Sequence, residues 1–145
     1  MAEYDTISLL KECDAGIKMG IISINEALKD VKTAQLNRIL CDARQEHEEL
    51  QSECVRLLNR SHDSGKSPSP IAQGMGKVKT AVKMVMSNDT SKTAAHIMTD
   101  GCNMGIKALN GYLNQYKTAS PEARELAQKI IRTEENLLNR LKPHL

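Results

Sequence analysis

The sequence predicts an all-α fold: an up-down four-helix bundle whose two hairpins are joined by a long crossover containing a short extra helix. Three observations predict it. Apolar residues recur at steps of three and four through four long segments. Phe and Trp are absent and Tyr occurs three times in 145 residues, so a core must be built from Leu, Ile, Val, Met and Ala. The segments come as two long helices, a connection rich in Ser, Gly and Pro with a shorter helix in it, and two more long helices. That is the order of a one-crossover bundle. The whole chain, 1–145, reads as one domain.

The first helix is expected over about 6–31, with Ile7, Leu10, Ile17, Ile21, Ile24, Leu28 and Val31 on one face and Asp5 or Thr6 as its cap. The second is expected over 35–60, with Leu36, Leu40, Ala43, His47, Leu50, Cys54 and Leu57 inward. Its outer face carries Arg38, Asp42, Glu46, Glu49, Glu53, Arg56 and Arg60, a solvated surface. The few residues between these two helices make them antiparallel neighbours. Residues 61–70 read as a linker, because Pro68 and Pro70 disfavour helix before them. A short helix follows over 71–87, with Ile71, Met75, Val78, Val82 and Val85 on one side. The next long helix is expected over 91–117, with Ile97, Met98, Gly101, Cys102, Gly105, Leu109, Tyr112 and Tyr116 inward. Ser120-Pro121-Glu122 restarts the chain as N-cap, first helical residue and acidic first turn. The last helix, 121–141, turns Leu126, Ile130, Glu134, Leu137 and Leu141 inward, and Pro143 ends it.

Composition removes several classes of function. Twenty Lys and Arg against eighteen Asp and Glu leave a net charge of +2. With so few aromatic side chains, stacking platforms for single-stranded nucleic acid are not expected. The seven Lys and three Asp between residues 61 and 120 make the middle basic, read as a solvated face rather than a nucleic-acid surface. No apolar run approaches the ~18 residues of a membrane span, and the N-terminus lacks a signal-peptide pattern. Cys13, Cys41, Cys54 and Cys102 have no CxxC spacing and read as reduced thiols, which implies a cytoplasmic protein. Gly74-Met75-Gly76-Lys77 follows no strand, so it is not a nucleotide loop.

The two halves also match. Met19-Gly20-Ile21 recurs as Met104-Gly105-Ile106, and Lys32-Thr33-Ala34 as Lys117-Thr118-Ala119. Further on, Arg44-Gln45-Glu46 aligns with Arg132-Thr133-Glu134, as expected of a duplicated hairpin. Gly16 and Gly20 fall at places equivalent to Gly101 and Gly105. Close helix approach is the expected reason for glycine inside helices, with a ligand cavity beside them as the other.

Asp100-Gly101, Gly105-Ile106-Lys107-Ala108-Leu109 and Ser120-Pro121-Glu122-Ala123-Arg124 give the chain a family resemblance. From Ser69 to Leu141 it resembles small bacterial ferritin-like bundles of an uncharacterised, stress-associated type. The stretch from Ala119 to Arg124 is also similar to spore-coat proteins of the Coat F type. The resemblance implies a ferritin-like bundle with a stress or spore-coat role. Ferritin-like di-iron centres need a Glu on each of two helices and Glu-x-x-His on the other two. This chain has Gly16, Ile17 and Lys18 where the first Glu belongs, Cys102-Asn103 where the third helix would supply one, and no His after Glu46 or Glu134 at that spacing. Ferroxidase activity is therefore not expected.

Polar residues nonetheless fall on or near all four inner stripes: Asp14, then Glu46 and His47, then Cys102, then Glu134. Such residues are competent ligands for iron, manganese or zinc in a rearranged site. The plainer reading pairs Asp14 with His47 by a hydrogen bond, keeps Cys102 as a small core residue, and turns Glu134 to a groove beside Arg132 or Lys107. No nucleophile–base–orienter set is visible. The sequence thus leads to a non-catalytic bundle with a structural or protein-interaction role, no cofactor and a homodimeric or other protein partner. The alternative is a metal-binding or redox protein.

Overall fold

The computed structural model describes residues 2–61 and 90–145. Four helices make an up-down bundle: α1 (Ala2–Leu28), α2 (Ala34–Arg60), α3 (Thr90–Gln115) and α4 (Pro121–Leu141), closed by a 3-10 turn at Lys142–His144. The linker expected over 61–70, beyond Ser61, and the short helix expected over 71–87 lie outside the described residues.

Hydrogen bonds at the two ends fix the helix directions. Where α1 ends, α3 begins: Lys32 N–H donates to Ser91 Oγ at 2.8 Å, and the Thr90 hydroxyl donates to the Asp30 carbonyl at 2.7 Å. Where α1 begins, α3 ends and α4 starts. There Ser120 N–H donates to Thr6 Oγ1 at 2.8 Å, and Thr118 donates through its N–H and its hydroxyl to Asp5. Arg60, at the end of α2, meets Glu122 at the start of α4. Hence α1 and α4 run one way and α2 and α3 the other. Each helix of 27 residues spans ~40 Å at the usual rise.

The start of α1 differs from expectation. Asp5 and Thr6 do not cap it; they lie in its first turns, and their oxygens serve the α3–α4 turn instead. Ser120 caps α4 as its sequence predicts, accepting from Ala123 N–H at 3.2 Å with Pro121 in the first turn. Two carbonyls at the end of α3, Leu113 and Tyr116, accept from the Arg124 guanidinium. This closes α3 two residues earlier than the apolar pattern implied.

Buried positions recur between the two halves in a register different from that of the identity matches. Leu9, Leu10, Cys13, Ile17 and Ile24 are buried in α1, and the same spacing recurs in α3 as Ala94, Ala95, Met98, Cys102 and Leu109. In α2, Leu36, Ile39, Leu40, Ala43, His47, Leu50 and Cys54 are matched by Ala123, Leu126, Ala127, Ile130, Glu134, Leu137 and Leu141. Glu134 is therefore the counterpart of His47, not of Glu46. The identity match between Arg44 and Arg132 followed outward charges, which packing does not hold in register. Gly101, expected inward, is exposed, as is Met104 at 50%.

The buried apolar residues form two clusters. One gathers Leu9, Leu10, Ile17, Leu50, Leu109 and Leu126 toward the start of α1. The other gathers Ile24, Leu36, Leu40, Met98, Leu137 and Leu141 toward its end. Replacing Ser120 by Ala removes a side-chain cap at the start of α4. The expected result is a loss of roughly 1 kcal/mol, read as a lower urea midpoint with an unchanged slope.

Candidate functional site

Between the two apolar clusters the bundle carries a polar level. His47 on α2 is 1% exposed. Its Nδ1 lies 2.7 Å from the Ala43 carbonyl oxygen one turn back. Its Nε2 lies 2.6 Å from Glu134 Oε1 on α4. Cys102 on α3 is also buried and lies beside Glu134. On the α1 side the imidazole rests against Gly20, where a Cβ would sit 2.8 Å from His47 Cδ2. Thus α2, α3 and α4 each supply a polar side chain, and α1 supplies the gap that admits the ring.

Burial alone would push the His47 pKa down. The hydrogen bond to Glu134 and its charge, with smaller help from the Ala43 carbonyl and Glu46, outweigh it, and the net shift is upward. Burial pushes the Cys102 thiol well up, and the Glu134 carboxylate adds to that shift. Cys13 is raised in the same way by burial, and Cys54, raised by burial and then by the Asp14 charge, reaches about 12. Burial thus favours the protonated form of all three thiols, which weakens them as nucleophiles.

The five residues singled out from the sequence separate into three places. His47, Glu134 and Cys102 come together. Asp14 is fully buried, but its Oδ2 meets Lys18 Nζ at 2.6 Å on its own helix. Because His47 lies level with Gly20 rather than Ile17, Asp14 is about 9 Å away along the axis, and the expected Asp14–His47 pair is not made. Glu46 lies at an open depression of about 380 Å³ between α2 and α4, lined also by Ala43, Asn136, Leu137, Asn139 and Arg140. Glu134 points inward to His47, not to Arg132 or Lys107. Among the described residues, no group of three or more His, Cys, Asp and Glu side chains is placed to hold a metal ion.

The glycines divide. Gly20 is a close approach, but to the His47 ring rather than to a helix backbone. Among the described residues, Gly16, Gly101 and Gly105 have nothing within 4 Å of an added Cβ, so no tight contact between described helices explains them. Lys18, which holds Asp14, was the residue sequence reasoning missed. Its signal was the i,i+4 spacing of acid and base.

No family model matches the chain, and no curated protein matches it. A crystal structure of a conserved hypothetical protein, rv2844, from Mycobacterium tuberculosis is similar in fold. Its TM-score is 0.72 over 98% of each chain, at 13% sequence identity. That likeness shows an all-α four-helix fold. Among the described residues, no helix is long and apolar enough to cross a membrane.

The glycine contrast is testable. Gly101→Ala and Gly105→Ala replace glycine in open helix surface and are expected to stabilise by about 0.5–1 kcal/mol each. Gly20→Ala drives a methyl into the His47 ring and is expected to destabilise by roughly 1–3 kcal/mol. Denaturant melts of the three variants check both signs.

Proposed function

We propose that this chain is a ferritin-like bundle that has given up metal chemistry and serves as a cytoplasmic structural or protein-interaction module, with a second copy of itself as partner. The observation that carries this reading is the engagement of the polar groups at the central level with one another. A ferritin-like centre needs carboxylates and imidazoles free to share two cations. Here His47 is held by Glu134 and Ala43, Glu134 is held by His47, and Asp14 is held by Lys18. The helix directions support the ferritin-like connectivity, because α2 and α3 run parallel. A stress or spore-coat setting rests on the sequence resemblance alone.

The interaction side of the reading rests on the surface. Tyr4 and Ile22 on α1 and Met104 on α3 are exposed at 67, 44 and 50%. Val55 on α2 and Leu145 at the C-terminus are the other large apolar residues so exposed among the described ones. Exposed apolar side chains together with open helical glycines suit a face that another protein covers.

Elemental analysis of tag-free protein, purified after growth with iron, manganese and zinc, is expected to find no metal above background. Assays with iron and peroxide are expected to show no turnover. Stoichiometric metal or robust turnover would defeat the reading. Sedimentation is expected to show a dimer that Ile22→Glu combined with Met104→Glu converts to a monomer of unchanged helix content. A wild-type monomer would remove the self-association.

A further inference from the structure

The geometry at His47 fixes a proton count. Nδ1 lies 2.7 Å from a carbonyl oxygen, which only accepts, so Nδ1 carries hydrogen. Nε2 lies 2.6 Å from Glu134 Oε1, and a second proton has to sit between those two atoms. Without it, a nitrogen lone pair and a carboxylate oxygen would face each other at that distance in the buried middle of the bundle. Burial lowers the His47 pKa, but its contact with Glu134 and the charge there raise it on balance, which assigns that proton to the imidazole. The pair therefore reads as imidazolium and carboxylate.

We propose that the His47–Glu134 pair is a proton-held clasp between the two hairpins, and that removing its proton at alkaline pH loosens the hairpin–hairpin contact at mid-bundle while each hairpin stays formed. The pair joins α2 of the first hairpin to α4 of the second, and Cys102 of α3 lies beside it. Each element packed around it is accounted for. Gly20 faces the ring from α1, and Asp14 and Lys18 of that helix are paired with each other. Glu46 adds a negative field from α2. Among the described residues, no cation stands among the groups that chiefly shift His47.

The sign follows from linkage. The folded-state pKa of His47 is raised above its ordinary 6.5. The clasp is thus fully present below that value and is lost as pH rises through the folded pKa. Between the two pKa values the folding equilibrium falls by up to about tenfold per pH unit.

Two measurements on the intact protein test it. Nitrogen-15 NMR of the imidazole is expected to show His47 still doubly protonated above pH 6.5. A neutral His47 at that pH overturns the proposal. Thiol labelling followed by mass spectrometry reads the loosening. Cys102 lies at the clasp, whereas Cys13 and Cys54 lie in the cluster toward the start of α1. Thiolate formation raises all three rates with pH alike, so the ratio of Cys102 to Cys13 labelling isolates the opening. That ratio is expected to climb at least severalfold between pH ~6 and ~9 in the wild type and to stay flat in His47→Gln and in Glu134→Gln. A flat wild-type ratio, or an equal climb in either folded variant, overturns the proposal. If one variant fails to fold, the other decides.

Discussion

A hydrogen-bonded acid–base pair in the middle of an aliphatic bundle governs how everything around it is arranged. Burying two such groups costs several kcal/mol per ion unless each donor and acceptor is answered. Here both ring nitrogens are answered locally: Ala43 for Nδ1 and Glu134 for Nε2. Gly20 removes the side chain that would collide with the ring. The apolar core is consequently two clusters rather than one, with the pair lying between them along α2 and α4. The same partnering leaves both ring nitrogens of His47 occupied.

The fold was largely legible because burial in a helical bundle repeats at steps of three and four. The elements that were read best, α2 and α4, carry charge on their outer faces and aliphatics within, so their stripes stand out. In α1 and α3 the contrast is weaker. Tyr4, Ile22 and Met104 are outside, while Asp14 and Ser91 are inside. A reading by hydropathy alone therefore placed Gly101 inward and missed Ala94 and Ala95. Asp5 and Thr6 looked like caps because capping chemistry is local. Their actual partners, Thr118 and Ser120, are more than a hundred residues away in sequence and adjacent only once the bundle has formed.

The central site was legible in its residues and not in its pairing. Polar residues on apolar stripes single out Asp14, His47, Cys102 and Glu134 from one sequence. Which of them meet depends on the stagger between helices, and a shift of one turn is enough to exchange partners. The turn between α1 and α2 sets His47 level with Gly20, leaving Asp14 to Lys18. The match of His47 with Glu134 appears only when the halves are aligned by buried spacing. Identity drew attention to surface arginines instead, and surface positions drift freely because solvent accepts any register.

Fold likeness at 13% identity over nearly the whole length of both chains shows how little this architecture asks of individual residues. Aliphatic stripes of the right period are sufficient for a bundle, but they specify its register poorly, because one Leu replaces another after a slip of one turn. The polar level supplies what the stripes lack. Sliding α2 by a turn against α4 would carry His47 away from Glu134 and leave both against aliphatic side chains, a loss of roughly 3–5 kcal/mol for a broken buried pair. Two nearly equivalent hairpins of aliphatic residues have several ways to pack. One acid–base pair, placed at matching positions in the two halves, makes a single one of them satisfy every buried polar group at that level.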